Sequence, residues 1–133
     1  MSLRILLTGA GGQLGREIQE AGSLPGSGVT VLPLARTDLD ITDPGAVQQT
    51  LTRQKPDILV NTAAYTDVDR AEREPDLALA VNRDGAETLA AACSQRTVPL
   101  IHVSTDYVFD GRSERPYREN DPVQPLNVYG HSK

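Results

Sequence analysis

The sequence predicts an α/β fold, a doubly wound parallel sheet that is incomplete at its C-terminal end. Two observations predict it. Short apolar runs alternate with helix-like stretches along most of the 133 residues, with no repeat, low-complexity tract or interdomain linker between them. A glycine-rich string, Thr8-Gly9-Ala10-Gly11-Gly12-Gln13-Leu14-Gly15, separates the first apolar run from the first helix-like stretch. Strands separated by helices imply right-handed crossovers and a parallel sheet. Ligands of such sheets bind beyond the carboxyl ends of the strands, so chemistry is expected in the segments that follow each strand.

Residues 3–7 form an apolar run broken only by Arg4 and read as a strand buried on both faces. Residues 13–20 follow as a helix with Leu14 and Ile18 on one face. Gly22, Pro25, Gly26 and Gly28 mark a loop. Residues 29–34 are the second strand, and Pro33 predicts an irregular end. Thr42-Asp43-Pro44 is a helix start, a cap followed by Pro in the first turn. Val47 and Leu51 supply that helix's apolar stripe, and Lys55-Pro56 ends it. Residues 57–61 are the third strand. The Ala-rich segment 75–93 predicts one long helix with Leu77, Val81, Leu89 and Ala92 inward. Asn82, a poor helix former in its middle, is expected to hydrogen-bond a neighbouring loop. Residues 99–103 read as a fourth, central strand, and the chain from Ser104 onward is mostly loop.

Composition narrows the function classes. Charged residues at 23% and apolar residues at 38% describe a globular chain rather than a disordered tail. A net charge of −5 argues against a general binder of nucleic acid or anionic membrane. A single cysteine, Cys93, excludes an internal disulfide framework and fits a reducing compartment. No apolar run approaches the roughly 18 residues of a membrane span, and the first residues do not read as a signal peptide. A cytoplasmic location is therefore expected. Two distant histidines and one cysteine give no metal-ligand cluster.

Gly9, Gly12 and Gly15 make G-x-x-G-x-x-G. Placed between a strand and a helix, this is a Rossmann-type phosphate loop: a tight turn, a close backbone approach to pyrophosphate, and close helix–strand packing. The phosphates would meet free N–H groups and the positive end of the helix dipole. The tip of strand two, Leu34-Ala35-Arg36-Thr37, carries no acid to grip a ribose 2′-OH. Arg36 could clamp a 2′-phosphate, which predicts NADPH over NADH, while Asp38 and Asp40 could reach a ribose or adenine edge.

Strand three ends in Asn61-Thr62-Ala63-Ala64-Tyr65, whose small residues leave room for a ligand or simply pack closely. Strand four ends in Ser104-Thr105-Asp106, which could bind a carbonyl and sugar hydroxyls or make an ordinary turn. Tyr129-Gly130-His131-Ser132-Lys133 is Y-x-x-x-K. On a helix this spacing sets an ammonium beside a phenol, where a cation favours phenolate and assists proton transfer. On spacing alone it equally describes two surface residues.

Taken together, these strings resemble the extended short-chain dehydrogenase/reductase family, through residues 8–15, Asp40-Ile41, Asn61-Thr62-Ala63-Ala64, Ser104-Thr105-Asp106 and Tyr129 to Lys133. Within it the chain is most similar to the dTDP-4-dehydrorhamnose reductases. That narrower resemblance rests on residues 55–61, 65–72 and 104–111, on Pro116-Tyr117 and on residues 125–130. The resemblance implies Thr105, Tyr129 and Lys133 as the catalytic residues. Thr105 would hold the substrate carbonyl, Tyr129 would donate the proton, and Lys133 would bind the nicotinamide ribose and support Tyr129. Asp106 would face the sugar. Gly9, Gly11, Gly12, Gln13 and Leu14 would hold the pyrophosphate, Asp40 and Ile41 the adenine, and Ala63, Ala64 and Tyr65 the inner half of the cofactor. Hydride would pass from NAD(P)H to the C4 ketone of a dTDP-4-keto-6-deoxyhexose, giving dTDP-L-rhamnose. Related dehydratases place Glu after Ser-Thr-Asp; here Tyr107 stands there, which disfavours dehydration.

Two other readings stay open at this point: another sugar-nucleotide reductase or epimerase, and a non-catalytic subunit like the regulatory subunit of methionine adenosyltransferase. Some relatives bind Mg²⁺ at a dimer contact, so a homodimer is conceivable, but no residue here is assigned to a metal. Extended members run longer, with a C-terminal substrate lobe after the Tyr-Lys helix. The expectation is that residues 1–133 are a truncated cofactor-binding domain without that lobe, inactive alone. A helix beginning near Tyr129 would have barely one turn, too short to hold Tyr129 and Lys133 together.

Overall fold

The computed structural model describes residues 1–133. The elements run β1 (Leu3–Thr8), α1 (Gln13–Ser23), β2 (Val29–Leu34), α2 (Pro44–Gln54), β3 (Ile58–Asn61), α3 (Val68–Ala71), α4 (Pro75–Leu79), α5 (Gly85–Gln95), β4 (Leu100–His102) and α6 (Val128–Ser132). The four strands form one parallel sheet in the order β2-β1-β3-β4. The predicted doubly wound α/β class is therefore observed.

Alternation along the strands sorts the core into two layers. Leu6 of β1 and Leu59 of β3 join Val47 and Leu51 of α2 and Leu89, Ala92 and Cys93 of α5 on one face. Leu7, Ala10 and Val60 pack with Ile5, Ile18 and Val31 on the other. Leu6, Leu7, Leu59 and Leu89 are fully buried, each contributing about 1.5–3 kcal/mol over an exposed position. Local chemistry fixes the ends of α2. The Asp43 carboxylate accepts from Ala46 N–H at 3.0 Å, Pro44 occupies the first turn, and Lys55 closes the helix in the left-handed region at φ 44°.

Several expectations need correction. β1 is enclosed on both faces only from Leu6; Leu3 and Arg4 are exposed. β2 stays in regular register through Pro33, which pairs with Leu7, because β2 is an edge strand where a missing N–H breaks no ladder. The helix over 75–93 is continuous and runs on to Gln95, but it contains a π turn at Ala80–Asp84 between α4 and α5. Leu77 does not face the core and is 38% exposed. Within residues 1–133, β4 is the last strand of the sheet beside β3, and Ile101 is 52% exposed.

Beyond β4, a 3₁₀ turn at Asp106–Val108 precedes a long loop and α6. Tertiary contacts hold α6 from its first turn. Asn127 Oδ1 accepts from Gly130 N–H at 2.7 Å, and Glu72 accepts from Val128 N–H at 2.8 Å. A Cβ on Gly130 would lie 2.2 Å from the Tyr107 carbonyl oxygen, so α6 sits directly on the 3₁₀ turn. Ala71, Ala78 and Tyr129 form a small apolar cluster beneath it.

Candidate functional site

The carboxyl ends of β1, β2 and β3 and the start of α6 surround one cleft of about 980 Å³. That is at the upper end of the size expected of a ligand pocket, roughly 300–1,000 Å³. The glycine loop forms its floor. Gly9 has φ 77°, and a Cβ there would sit 2.4 Å from Ala63 N; a Cβ on Gly15 would sit 2.3 Å from the Gly9 carbonyl oxygen. These two glycines let β1, α1 and the β3 tip touch. A Cβ on Gly11 meets nothing within 4 Å, so its open side remains available to a ligand. α1 starts with Gly12 at its cap and no side chain on its first-turn donors, the arrangement that receives a phosphate. Gln19 braces the loop from behind, donating to the Ala10 and Gly15 carbonyls at 2.9 Å each. The sequence reading passed over this residue.

At the β2 tip, Asp38 closes a turn by accepting from Ala35 N–H at 2.8 Å, and Arg36 is exposed on the cleft wall. Asp40 accepts from the Thr42 hydroxyl at 2.7 Å and from Thr42 N–H at 2.9 Å. These bonds, followed by the Arg36 charge, hold its carboxyl below the usual carboxylate range. The anion is thus committed in part to Thr42, with Ile41 buried behind it.

At the β3 tip, Thr62 donates to the Thr8 and Gly9 carbonyls at 2.8 and 3.2 Å. Ala63, Ala64 and Tyr65 line the inner cleft. The Tyr65 hydroxyl donates to Glu74 at 2.8 Å; loss of solvent, then that carboxylate, push its phenol above the ordinary value. Asn82 does what was expected of it. Buried in the π turn, it accepts from Tyr65 N–H at 2.8 Å and donates to the Tyr65 carbonyl at 2.9 Å. Its second N–H reaches Ser132 Oγ at 2.8 Å, and Ser132 in turn donates to the Tyr129 carbonyl at 2.7 Å. One amide therefore ties the β3 loop to α6. Its interior position in a π turn explains why helical periodicity did not reveal the link.

Tyr129 and Lys133 both line the cleft. Tyr129 is 9% exposed and makes an edge-on contact with Tyr107, centroids 5.5 Å apart. The Lys133 ammonium donates to the Val103 carbonyl at 2.7 Å, and burial lowers its pKa. Every residue expected to meet a cofactor, from Gly9, Gly11, Gly12, Gln13 and Leu14 through Arg36, Asp40, Ile41, Ala63, Ala64 and Tyr65 to Tyr129 and Lys133, borders this one space.

Thr105 and Asp106 do not; Ser104 stands at the cleft instead. Thr105 Oγ1 caps the 3₁₀ turn by accepting from Tyr107 N–H at 3.2 Å. Asp106 borders a second cavity of about 260 Å³ with Tyr107, Phe109 and Asn127. The sequence reading also missed Glu17, Leu77 and Val81, which complete the wall of the main cleft. Val81 packs against the main core, as expected, and also borders the cleft, whereas Leu77 lies on the cleft side and is exposed. No group of three metal-ligating side chains is present, and no helix is long and apolar enough to cross a membrane.

Residues 3–133 match the family model described as the RmlD substrate binding domain. The chain belongs to that family. It is 48% identical over 130 residues to a dTDP-4-dehydrorhamnose reductase of Streptomyces griseus, covering 98% of this chain and 42% of that one. It is 46% identical over 133 residues to a dTDP-4-keto-6-deoxy-D-glucose reductase of Streptomyces niveus, covering 100% of this chain and 46% of the relative. A solved dTDP-4-dehydrorhamnose reductase from Bacillus anthracis, in complex with NADP, superposes with a TM-score of 0.92 at 41% identity, over 99% of this chain and 46% of that one. The chain thus spans about half the length of the curated relatives it matches. The Rossmann-like class and the reductase resemblance read from sequence both agree with these relatives.

Proposed function

We propose that this RmlD-family chain carries the cofactor half of an NADPH-dependent reductase acting on the C4 ketone of a dTDP-4-keto-6-deoxy sugar, with dTDP-L-rhamnose as the product. One observation carries the reading: a single cleft joins the glycine loop, Arg36, the small β3-tip residues and the Tyr129–Lys133 pair. Its fit to a dinucleotide is steric as well as chemical. Gly11 leaves open space beside the free N–H groups of α1, where a pyrophosphate would sit. When bound, NADPH would supply the hydride.

The chain's own residues do the rest. Arg36 pairs with a 2′-phosphate, Asp40 and Ile41 border the adenine, and Ala63 and Ala64 admit the inner ribose. Lys133 offers its ammonium to ribose hydroxyls in place of the Val103 carbonyl. Tyr129 delivers a proton to the oxygen of the reduced carbonyl, and Lys133 steadies the phenolate left behind. Thr105 orients that oxygen by its hydroxyl, which requires it to leave the Tyr107 N–H, and Asp106 binds sugar hydroxyls. Tyr107 gives no carboxylate base, which favours reduction over dehydration. A substrate lobe supplied by chain outside these residues would complete the sugar pocket, and the 133 residues alone would not turn over.

Calorimetric titration with NADPH and NADH tests the cofactor assignment. NADPH is expected to bind tighter by roughly tenfold or more, the difference vanishing in Arg36→Ala; tighter NADH binding sinks the assignment. NADPH oxidation with dTDP-4-keto-6-deoxy sugars tests the reaction. The expected result is activity in a chain carrying both halves and none in residues 1–133; turnover by the latter overturns the need for a further lobe.

A further inference from the structure

Three strand-tip residues stand side by side in register: Thr8 opposite Asn61, and Asn61 opposite His102. By alternation they share the face of Leu6, Leu59 and Leu100, directly above the larger core. Thr8 and Asn61 are each 1% exposed, so their polar atoms must satisfy one another.

The backbone dictates which way each bond runs. Ala63 N–H lies 3.1 Å from Asn61 Oδ1. A backbone N–H can only donate, so the amide oxygen must face it. The Thr8 hydroxyl donates to the same oxygen at 2.7 Å. The amide nitrogen is then the end turned toward His102, 3.0 Å from Nδ1. That nitrogen carries two hydrogens and accepts nothing, so Nδ1 must be the acceptor. The imidazole is therefore neutral, with its proton on Nε2.

We infer that His102 is a positioning residue whose neutral, Nε2-protonated ring fixes the Asn61 amide and, through it, the Ala63–Tyr65 wall of the cleft. A protonated ring would set Nδ1–H against the Asn61 N–H₂, donor against donor. Rotating the amide would relieve that clash only by turning the N–H₂ onto Ala63 N–H. Either way one buried donor faces another, and the loop loses its anchor. The surroundings favour the neutral ring. β3 contributes no titratable side chain, and Glu87 of α5 is exposed. Cys93, also on α5, is kept as a thiol by burial. Lys133, at the end of α6, is the cation whose charge reaches the ring. Burial first, and Lys133 second, hold the His102 pKa below its ordinary value. A histidine with a depressed pKa contributes stability above its unfolded value of about 6.5, and that contribution is lost as pH falls from there through the folded value.

The consequence for ligand binding rests on the reading that the cleft holds NADP(H). Two measurements separate the failure of that reading from the failure of this one. Nitrogen-15 NMR of the ligand-free protein at pH 7.5 should show His102 with bare Nδ1 and protonated Nε2; the opposite tautomer, or an imidazolium, overturns the inference. NADP⁺ titrations between pH 8 and 5 should weaken by about tenfold for each unit below the His102 pKa, because only the neutral fraction binds. His102→Gln, which offers a neutral acceptor and does not titrate, should keep the pH 8 affinity and lose that slope, leaving only the ligand's own phosphate titration. Identical slopes in both proteins overturn the coupling. Absence of NADP⁺ binding at every pH overturns the cofactor reading, and the NMR tautomer then decides this one alone.

Discussion

The glycine loop and α6 are the two walls of one cleft, yet they are held in opposite ways. The loop is fixed by steric contact: Gly9 touches the β3 tip and Gly15 touches Gly9, with no space for one added carbon at either. α6 shares one such contact, Gly130 on the Tyr107 carbonyl, but is otherwise held by directional bonds at its ends and flank, from Asn127, Glu72, Asn82 and Lys133. The contrast teaches that the glycine-loop wall is built mainly by what is missing from the chain, and the Tyr129–Lys133 wall mainly by what each polar group must reach. A wall made by close approach tolerates no addition. A wall made by hydrogen bonds tolerates no loss.

Substitutions can break each side of that comparison. The largest effect is expected at Gly9→Ala, which adds left-handed strain to a collision with Ala63 N. It should cost about 3–4 kcal/mol in urea unfolding, whereas Gly11→Ala, whose added methyl meets open space, should leave stability unchanged and weaken NADP⁺ binding. Equal destabilisation by the two would refute the division of labour within the loop. Next comes Asn82→Ala, which strands Tyr65 N–H and Ser132. A loss of about 2–3 kcal/mol is expected, with Ser132→Ala costing about 1. In chains with turnover, the Asn82 change should lower kcat more than it raises KM for NADPH. A purely structural residue would lower the active fraction without changing that ratio. The smallest effect is expected at Asp43→Ala, remote from both walls: about 1 kcal/mol from the lost α2 cap, with NADP⁺ affinity unchanged. A matching loss of affinity would mean that α2 is coupled to the cleft after all.

The steric wall could be read from the sequence because its signal is local. Three glycines spaced between an apolar run and an amphipathic stretch leave few other structures open, and Asp43-Pro44 marks its helix start within a few residues. The hydrogen-bonded wall could be read only as a spacing. Tyr129 and Lys133 were found, but what holds them was not, since Glu72, Asn82 and Val103 are distant in the chain. The Ala-rich stretch was read as one uniform helix because Ala and Leu dominate it and outweigh Asn82 and Gly85. The π turn at Ala80–Asp84 is set by tertiary need, the inward reach of Asn82 and the close fit of Gly85 against Ile41, where a Cβ would lie 2.8 Å away. Thr105 and Asp106 were grouped with the other tip residues by adjacency to Ser104. The backbone turns after Ser104, and the cap bond from Tyr107 N–H carries them away from the cleft.

By itself the sequence determined the parallel α/β class, the glycine loop between β1 and α1, and most element boundaries. These follow from period, turn chemistry and short-range sterics, which act between near neighbours. The tertiary structure decided the π turn within the 75–93 helix, the bonds that anchor α6 and the direction of the Thr8–Asn61–His102 bonds. Each depends on a donor finding an acceptor, or a face finding cover, across many residues of intervening chain. Such pairings are settled only when the whole sheet and its helices have closed.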